Sequence, residues 1–353
     1  MCGITFFFLF SFYSNACKPF PEQMFMHSCR KMLNVMRGKI FKISLLFFIC
    51  LQPWLGLGQT NTTVRHVVMI GVDALSPDGI NNAYTPEIEK LMMEGAYSFR
   101  AKAVLPTLSS PNWASMMMGV PPKYHGVKSN NWRRTDIVGK SYCGGEPGNT
   151  YPTIYKVIHQ AYPDQKIALF LDWDKYDELV EKDAFTDLFK GENAVNTAVK
   201  AGNYISEHQP LFTFIHLDLV DSAGHEFGHA TNQYYHSVQV ADSLIGIIRQ
   251  SLEKAGITNE TAIIVTSDHG GKGKGHGGRS DREVYIPWIL SGPSVKRSYL
   301  INETIDTYDT PAMISYLLGV TPPSCWIGKP VLTALEQTVE DPAVLVNARE
   351  DRD

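Results

Sequence analysis

The sequence predicts an α/β fold: a mostly parallel central sheet with helices on both faces. Two observations carry this. From residue 66 onward, apolar β-branched runs alternate with segments of helical periodicity, the order expected when each strand returns through a covering helix. In addition, acidic residues fall at or just after the carboxyl ends of the expected strands, the edge at which open α/β sheets bind ligands.

The elements follow in order. VVMIGVD at 67–73 is the first strand, and TPEIEKLMMEG at 85–95 the first helix. Thr85 stands at its cap with Pro86 in the first turn, Ile88, Leu91 and Met92 form its buried stripe, and Gly95 ends it. LPTLSSPNW at 105–113 reads as strand or loop followed by a helix from Pro111 to Met118, stopped by Gly119. KIALFLD at 166–172 precedes a helix near 194–207. LFTFIHLD at 211–218 precedes the long periodic segment 233–254, and AIIVTSD at 262–268 is the last strand of the pattern. Asp306 and Asp309 stand where capping residues of a final helix, TYDTPAMISYLLG, belong. The chain has no internal repeat and no low-complexity linker.

The basic start 36–42 and the apolar run 43–57 have the layout of a secretory signal, with small residues near Gly56 and Gly58. We expect residues 1–58 to be leader and signal peptide, with Met36 as a working start, and 59–353 to be a single catalytic domain. The apolar run is shorter than the roughly 20 residues that span a bilayer, so no integral span is expected in the mature chain. A secreted or periplasmic location follows. Of six cysteines, Cys143 and Cys325 lie beyond the leader; export makes one disulfide possible, but sequence spacing does not decide it. Asn61, Asn259 and Asn302 stand in glycosylation sequons. A net charge of -4 with no long Lys/Arg run argues against a stable nucleic-acid partner, although a local positive site made by metal ions does not enter such a count. Oligomeric state is left open.

Chemistry concentrates in five segments. Asp73 follows the first strand, Asp218 and Asp221 the third, and Asp268-His269 the fourth; His225 and His276 lie in GHEFG and GKGHGG. Oxygen and nitrogen ligands of this kind suit two divalent ions. Ser109 sits at a helix start, where free N–H groups and the helix dipole stabilise an alkoxide and a bound phosphate. An alternative is that Ser109 or Ser110 only caps the helix; Ser110 can cap while Ser109 reacts.

With these residues in hand, the sequence resembles the alkaline phosphatase superfamily, and within it the nucleotide pyrophosphatase/phosphodiesterase branch. The resemblance runs from about Val67 to about Val331 and rests on GVDAL, PTLSSPNWASMMMGVPPKYHGV, VDSAGHEFG, SDHGG, GHGG and CWIGKPV in that order. It implies an alkaline-phosphatase-like fold and two metal ions, with zinc the expected identity. It also implies that Asp221, His225 and His276 hold one ion while Asp73, Asp268, His269 and the oxygen of Ser109 hold the other. Asn130 falls where the family places an asparagine that donates to a phosphoryl oxygen. The branch mostly uses threonine as nucleophile, so serine is a departure. Trp173, Lys175 and Tyr176 occupy the region of substrate selection without matching a known selector.

The implied function is an exported two-metal phosphoric-ester hydrolase acting on a small phosphate ester or nucleotide, most simply a phosphodiesterase with a phosphoseryl intermediate. Two ions, three carboxylates and an ionised Ser109 sum to near neutrality, which favours a singly charged diester; a cation such as Lys175 could reverse this. A phosphomonoesterase is the alternative within the fold. A sulfatase is disfavoured because Trp113 stands where the modified nucleophile's motif needs arginine. His225-Glu226-Phe227-Gly228-His229 spells the zinc-protease sequence H-E-x-x-H, which requires a helix through both histidines. A domain that has lost activity would have a broken ligand set, and this one is complete. His125 is read as part of a turn that positions Asn130, and His216 as a strand residue without a ligand role.

Overall fold

The apolar runs do assemble edge to edge. The structure, a computed structural model, describes residues 64–336 except 138, 146 and 147. Its strands are β1 (His66–Val72), β2 (Gly95–Lys102), β3 (Ile167–Leu171), β4 (Asp187–Lys190), β5 (Phe212–Leu217), β6 (Thr261–Thr266), β7 (Tyr285–Ser291) and β8 (Tyr299–Leu300). They form one eight-stranded sheet in the order β4-β3-β5-β1-β6-β7-β2-β8. The run from β4 to β6 is parallel throughout, whereas β7 is antiparallel to both neighbours and β8 is parallel to β2. The four strands expected from the sequence are the four consecutive strands β3, β5, β1 and β6.

Successive side chains of a strand point to opposite faces, and both faces are buried here. Val67 and Met69 join Trp113, Met117, Tyr155, Phe214 and Met313 on one side. Val68, Ile70 and Val72 join Ala198, Ile205, Ile215, Val238 and Ile245 on the other. The helices Ser109–Met118, Ile154–Ala161 and Thr310–Leu318 contribute to the first layer, and Ala194–His208 and Asn232–Ala255 to the second. Double-sided burial explains why the four central parallel strands, β3, β5, β1 and β6, read as continuous apolar runs.

Two local expectations need correcting. Thr85 occupies the cap position of the helix Pro86–Glu94, but its side chain makes no capping bond. The cap comes from Asp242 on a neighbouring helix, whose carboxylate accepts from the N–H groups of Glu87 (3.2 Å) and Ile88 (2.8 Å). The nucleophile-segment helix begins at Ser109, with Leu108 as N-cap and no side-chain cap, so Ser110 does not cap it. Gly119 ends that helix at φ 64°, a left-handed conformation that glycine adopts without cost.

Cys143 and Cys325 form a disulfide with a Cα–Cα distance of 5.7 Å, within the usual range. Among the described residues no helix is long and apolar enough to cross a membrane. The expected leader and signal, 1–58, lies outside the described residues, as does Asn61.

Candidate metal centre

Parallel register brings the carboxyl ends of β3, β5, β1 and β6 side by side, and each delivers polar groups to one edge. Asp73 follows β1 directly, Asp268 and His269 follow β6, and Asp172 follows β3. After β5 the chain enters the helix Leu219–Phe227, where Asp221 and His225, four residues apart, share a face. Two groups result whose ligand atoms all lie within 4.8 Å of one another: Asp73, Asp268 and His269, and Asp221, His225 and His276. The His269 and His276 rings stack at 3.8 Å, so the two groups adjoin.

The donor atoms fit cations. Each histidine commits Nδ1 as donor to a backbone carbonyl: His269 to Gly270 (2.9 Å), His276 to Thr107 (2.9 Å) and His225 to Lys274 (3.0 Å). That fixes the tautomer and leaves every Nε2 as a lone pair, the arrangement typical of metal-ligating histidines. The Nε2 atoms of His225 and His276 face each other at 3.2 Å, a repulsive pairing of acceptors unless a cation stands between them. Asp73 Oδ1, Asp221 Oδ1 and Asp268 Oδ2 are buried without hydrogen-bond partners, although buried oxygens of this kind are normally satisfied.

Burial dominates the electrostatics. It raises the Asp73 carboxyl, with the charge of Asp268 adding to the effect, and raises Asp221 with help from Asp73. Asp268 is pushed up to about 7 by burial, then by Asp221. His269 is lowered by burial. Metal-free, the cluster resists ionising; a divalent cation reverses that preference.

Behind Asp73 lies a support that sequence reasoning missed. Trp113 Nε1 and His216 Nε2 both donate to Asp73 Oδ2, each at 3.2 Å, leaving Oδ1 for the centre. His216 Nδ1 donates to Asp172 at 3.0 Å. Burial pulls the His216 imidazole down, but hydrogen bonds to Asp172 and Asp73 outweigh it and push it up to about 10. The indole reaches this position because residue 71 is glycine: a Cβ there would overlap the Trp113 ring. No local motif announces His216, although an imidazole in an otherwise apolar buried strand was a signal available in the sequence.

Ser109 Oγ lies 3.2 Å from His269 Nε2, and the residue is 4% exposed, so the hydroxyl sits beside the buried cluster. Not every N–H at this helix start is free. Pro111 has no N–H, and Asn112 N–H donates to Leu108 at 3.2 Å. Ser110 N–H donates to Asn130 Oδ1 at 2.9 Å, which sets the Asn130 side chain against the first turn of the Ser109 helix. Asn112, fully buried, holds the approach loop through Val104, Pro106 and Leu108. Thr107 ties the same loop to His276: its carbonyl accepts from Nδ1, while its hydroxyl accepts from Gly277 N–H and donates to Gly278.

The remaining expectations resolve simply. Asp218 accepts from Ser222 and stands outside both clusters. The helix carrying His225 stops at Phe227, so His229 does not share its face and the H-E-x-x-H geometry fails. His125 is neutral, lowered to about 3 by burial; its ring accepts from Val127 N–H and meets Ser115 Oγ at 2.9 Å, at the base of the turn toward Asn130.

A sheet of this order carrying two adjoining ligand clusters at its carboxyl edge defines an alkaline-phosphatase-like protein. Solved structures agree on the fold. Murine ectonucleotide pyrophosphatase/phosphodiesterase 5, an inactive form in complex with AMP, superposes with a TM-score of 0.63 at 14% identity, over 77% of this chain and 100% of that one. A 2-O glycosaminoglycan sulfatase gives 0.59 at 16%, over 79% and 76%. More specifically, the chain belongs to the type I phosphodiesterase / nucleotide pyrophosphatase family, whose profile matches residues 67–274. Among its relatives are the venom phosphodiesterase of Macrovipera lebetinus, 23% identical over 52% of this chain and 23% of that one, and ectonucleotide pyrophosphatase/phosphodiesterase family member 3 of Rattus norvegicus, 24% identical over 58% and 24%. The bis(5'-adenosyl)-triphosphatase of Xenopus laevis is 20% identical over 67% and 53%. The chain thus spans about a quarter of the length of the venom and rat proteins and about half that of the frog protein.

Proposed function

We propose that this chain is a two-metal phosphoric-ester hydrolase of the phosphodiesterase/nucleotide pyrophosphatase type, with Ser109 as covalent nucleophile. The observation that carries the reading is the Ser109 hydroxyl, 3.2 Å from His269 at a helix start, beside two clusters of orphaned carboxylate oxygens and free imidazole nitrogens. Asp73, Asp268 and His269 would hold one ion together with the Ser109 oxygen, and Asp221, His225 and His276 the other. Zinc is the expected metal, since mixed imidazole and carboxylate ligation suits it. Bound there, the ions supply Lewis-acid stabilisation of the attacking and leaving oxygens.

Ser109 Oγ, reacting as the alkoxide, attacks phosphorus in line; the P–O bond to the leaving group breaks and a phosphoseryl intermediate forms. The Asn130 amide and the Ser109 N–H donate to the phosphoryl oxygens as charge develops. The departed oxyanion takes a proton from solvent; water then attacks phosphorus from the vacated side and gives up a proton to solvent, the P–Oγ bond breaks, and Ser109 returns as the alkoxide while the phosphate product leaves. Residues 59–353 form the catalytic domain in this reading, exported by the segment before it and acting on a small phosphate ester or nucleotide. Relatives named for venom and for ectonucleotide hydrolysis support that location and substrate class.

The test is turnover of bis-p-nitrophenyl phosphate and p-nitrophenyl phosphate by the zinc-loaded protein. Ser109→Ala is expected to lower turnover by more than about 10³-fold while elemental analysis still finds two ions per chain. Undiminished turnover in that variant overturns the covalent mechanism.

A further inference from the structure

The loop after β3 carries a cation that the mechanism above leaves unused. Lys175 Nζ donates to the backbone carbonyl of Asn130 at 3.2 Å, and the side chain of that asparagine is anchored on Ser110 N–H at 2.9 Å. The ammonium is therefore tied to the very residue that presents a donor to the phosphoryl group. It keeps two further N–H donors, and among the described residues no carboxylate lies within ion-pair distance of it. The acids beside it are engaged elsewhere: Lys190 pairs with Asp177 at 2.8 Å and meets Asp174 at 4.0 Å.

The loop is rigid as well as charged. Trp173 stacks on His216 at 5.9 Å, and the buried Tyr176 stacks on Phe214 at 4.8 Å while sharing a hydrogen bond with Tyr155 at 2.9 Å. Arg134 fastens the far end by donating to the carbonyls of Glu178 and Val180. Long cationic side chains on a surface cost entropy to hold in place; here flanking aromatic contacts and the Asn130 carbonyl fix the loop and the ammonium before substrate arrives.

We propose that Lys175 is a specificity-determining residue that reads a second negative charge on the substrate, next to the phosphoryl group that Ser109 attacks. Two ester types carry such a charge: a monoester, with its second ionised oxygen, and a pyrophosphate diester, with its neighbouring phosphate. A simple diester lacks it. The inference rests on the hydrolase reading and assigns its substrate class.

The experiment compares wild type, Lys175→Met and Lys175→Arg as zinc-loaded enzymes on p-nitrophenyl phosphate, ATP and bis-p-nitrophenyl phosphate. Lys175→Met is expected to lose about tenfold more kcat/KM on one or both of the first two than on the simple diester, the scale of one unit charge acting through a partly solvated site. Lys175→Arg restores most of that difference. The arm that responds, monoester or ATP, identifies the source of the charge. Equal losses on all three overturn the proposal, because a merely structural lysine moves them together. A binding arm reads the same effect without turnover: in the zinc-loaded Ser109→Ala background, calorimetry should show methyl phosphate or ADP, one or both, favoured over dimethyl phosphate about tenfold, and Lys175→Met should remove the preference. Should wild type cleave none of the esters, the hydrolase reading fails, and the calorimetric arm then decides Lys175: equal affinities for methyl phosphate, ADP and dimethyl phosphate overturn its role.

Discussion

The two ligand clusters have similar donors and opposite settings. Asp73, Asp268 and His269 are sealed, at 1%, 0% and 0% exposure. In the other cluster, the His225 side chain is 48% exposed while His276 is shielded at 6%. The sealed cluster sits on strand ends with an indole and an imidazolium behind it; the open one sits on a short helix and a glycine-rich loop. Burying charge without a counter-ion is costly, so the sealed cluster depends more on its cation and should hold it longer. The open cluster, through His225, is the one that solvent reaches.

The largest expected effect that separates them is mutational. Asp268→Asn should abolish turnover by more than about 10³-fold and leave a chain that elemental analysis finds short of one ion even in excess zinc. His225→Ala should instead recover part of its activity as zinc is raised into the millimolar range. Equal recovery by both variants breaks the contrast. Next comes chelation: treatment with EDTA should release one ion quickly and the other slowly, seen as two phases in a colorimetric zinc assay. A single phase would mean that the clusters do not differ in accessibility.

A smaller, graded effect concerns pH. Because Asp268 is raised to about 7 in the metal-free protein, protons compete with the cation below that value. Affinity at the sealed cluster should fall as pH drops from 7 toward 5, by up to about tenfold per unit, and be restored on return. A flat affinity across that range, measured with a competing zinc indicator, removes the basis for the shift. The sign for stability is the reverse. A raised acid makes the folded metal-free chain the better proton binder, so the chain loses stability as pH rises from about 4 through 7. Smallest is His216→Gln, which should weaken zinc at the sealed cluster by about 10 to 100-fold with little change at the open one. Loss at both would assign His216 a general structural role.

Which parts of this were legible follows from how far each feature reaches along the chain. The four central strands and the acids at their ends are contiguous in sequence, and continuous β-branched runs such as AIIVT mark them. The open cluster's Asp221-His225 pair came from the family resemblance, which chose Asp221 over Asp218; the helix Leu219–Phe227 that sets the two on one face was not expected. What escaped is made across space. His216 meets Asp172 from 44 residues away, and Asp242 caps a helix 154 residues before it. Strands β2 and β7 were missed as well. GAYSFRAK mixes small, aromatic and charged residues, and YIPWILS carries a proline, so neither has the pattern of a fully buried parallel strand. The true start of the Ser109 helix was obscured by Pro111, which favours the first turn and so suggested a later beginning.

Thr107 reaches to both sides of the centre. With one carbonyl and one hydroxyl it fastens the segment before Ser109 to the glycine-rich stretch around His276, so serine and imidazole travel as a single mechanical unit. Anyone grafting a longer or looser segment before Ser109 onto this scaffold would drag the His276 imidazole out of line with its cluster, and evolution working here faces the same restriction.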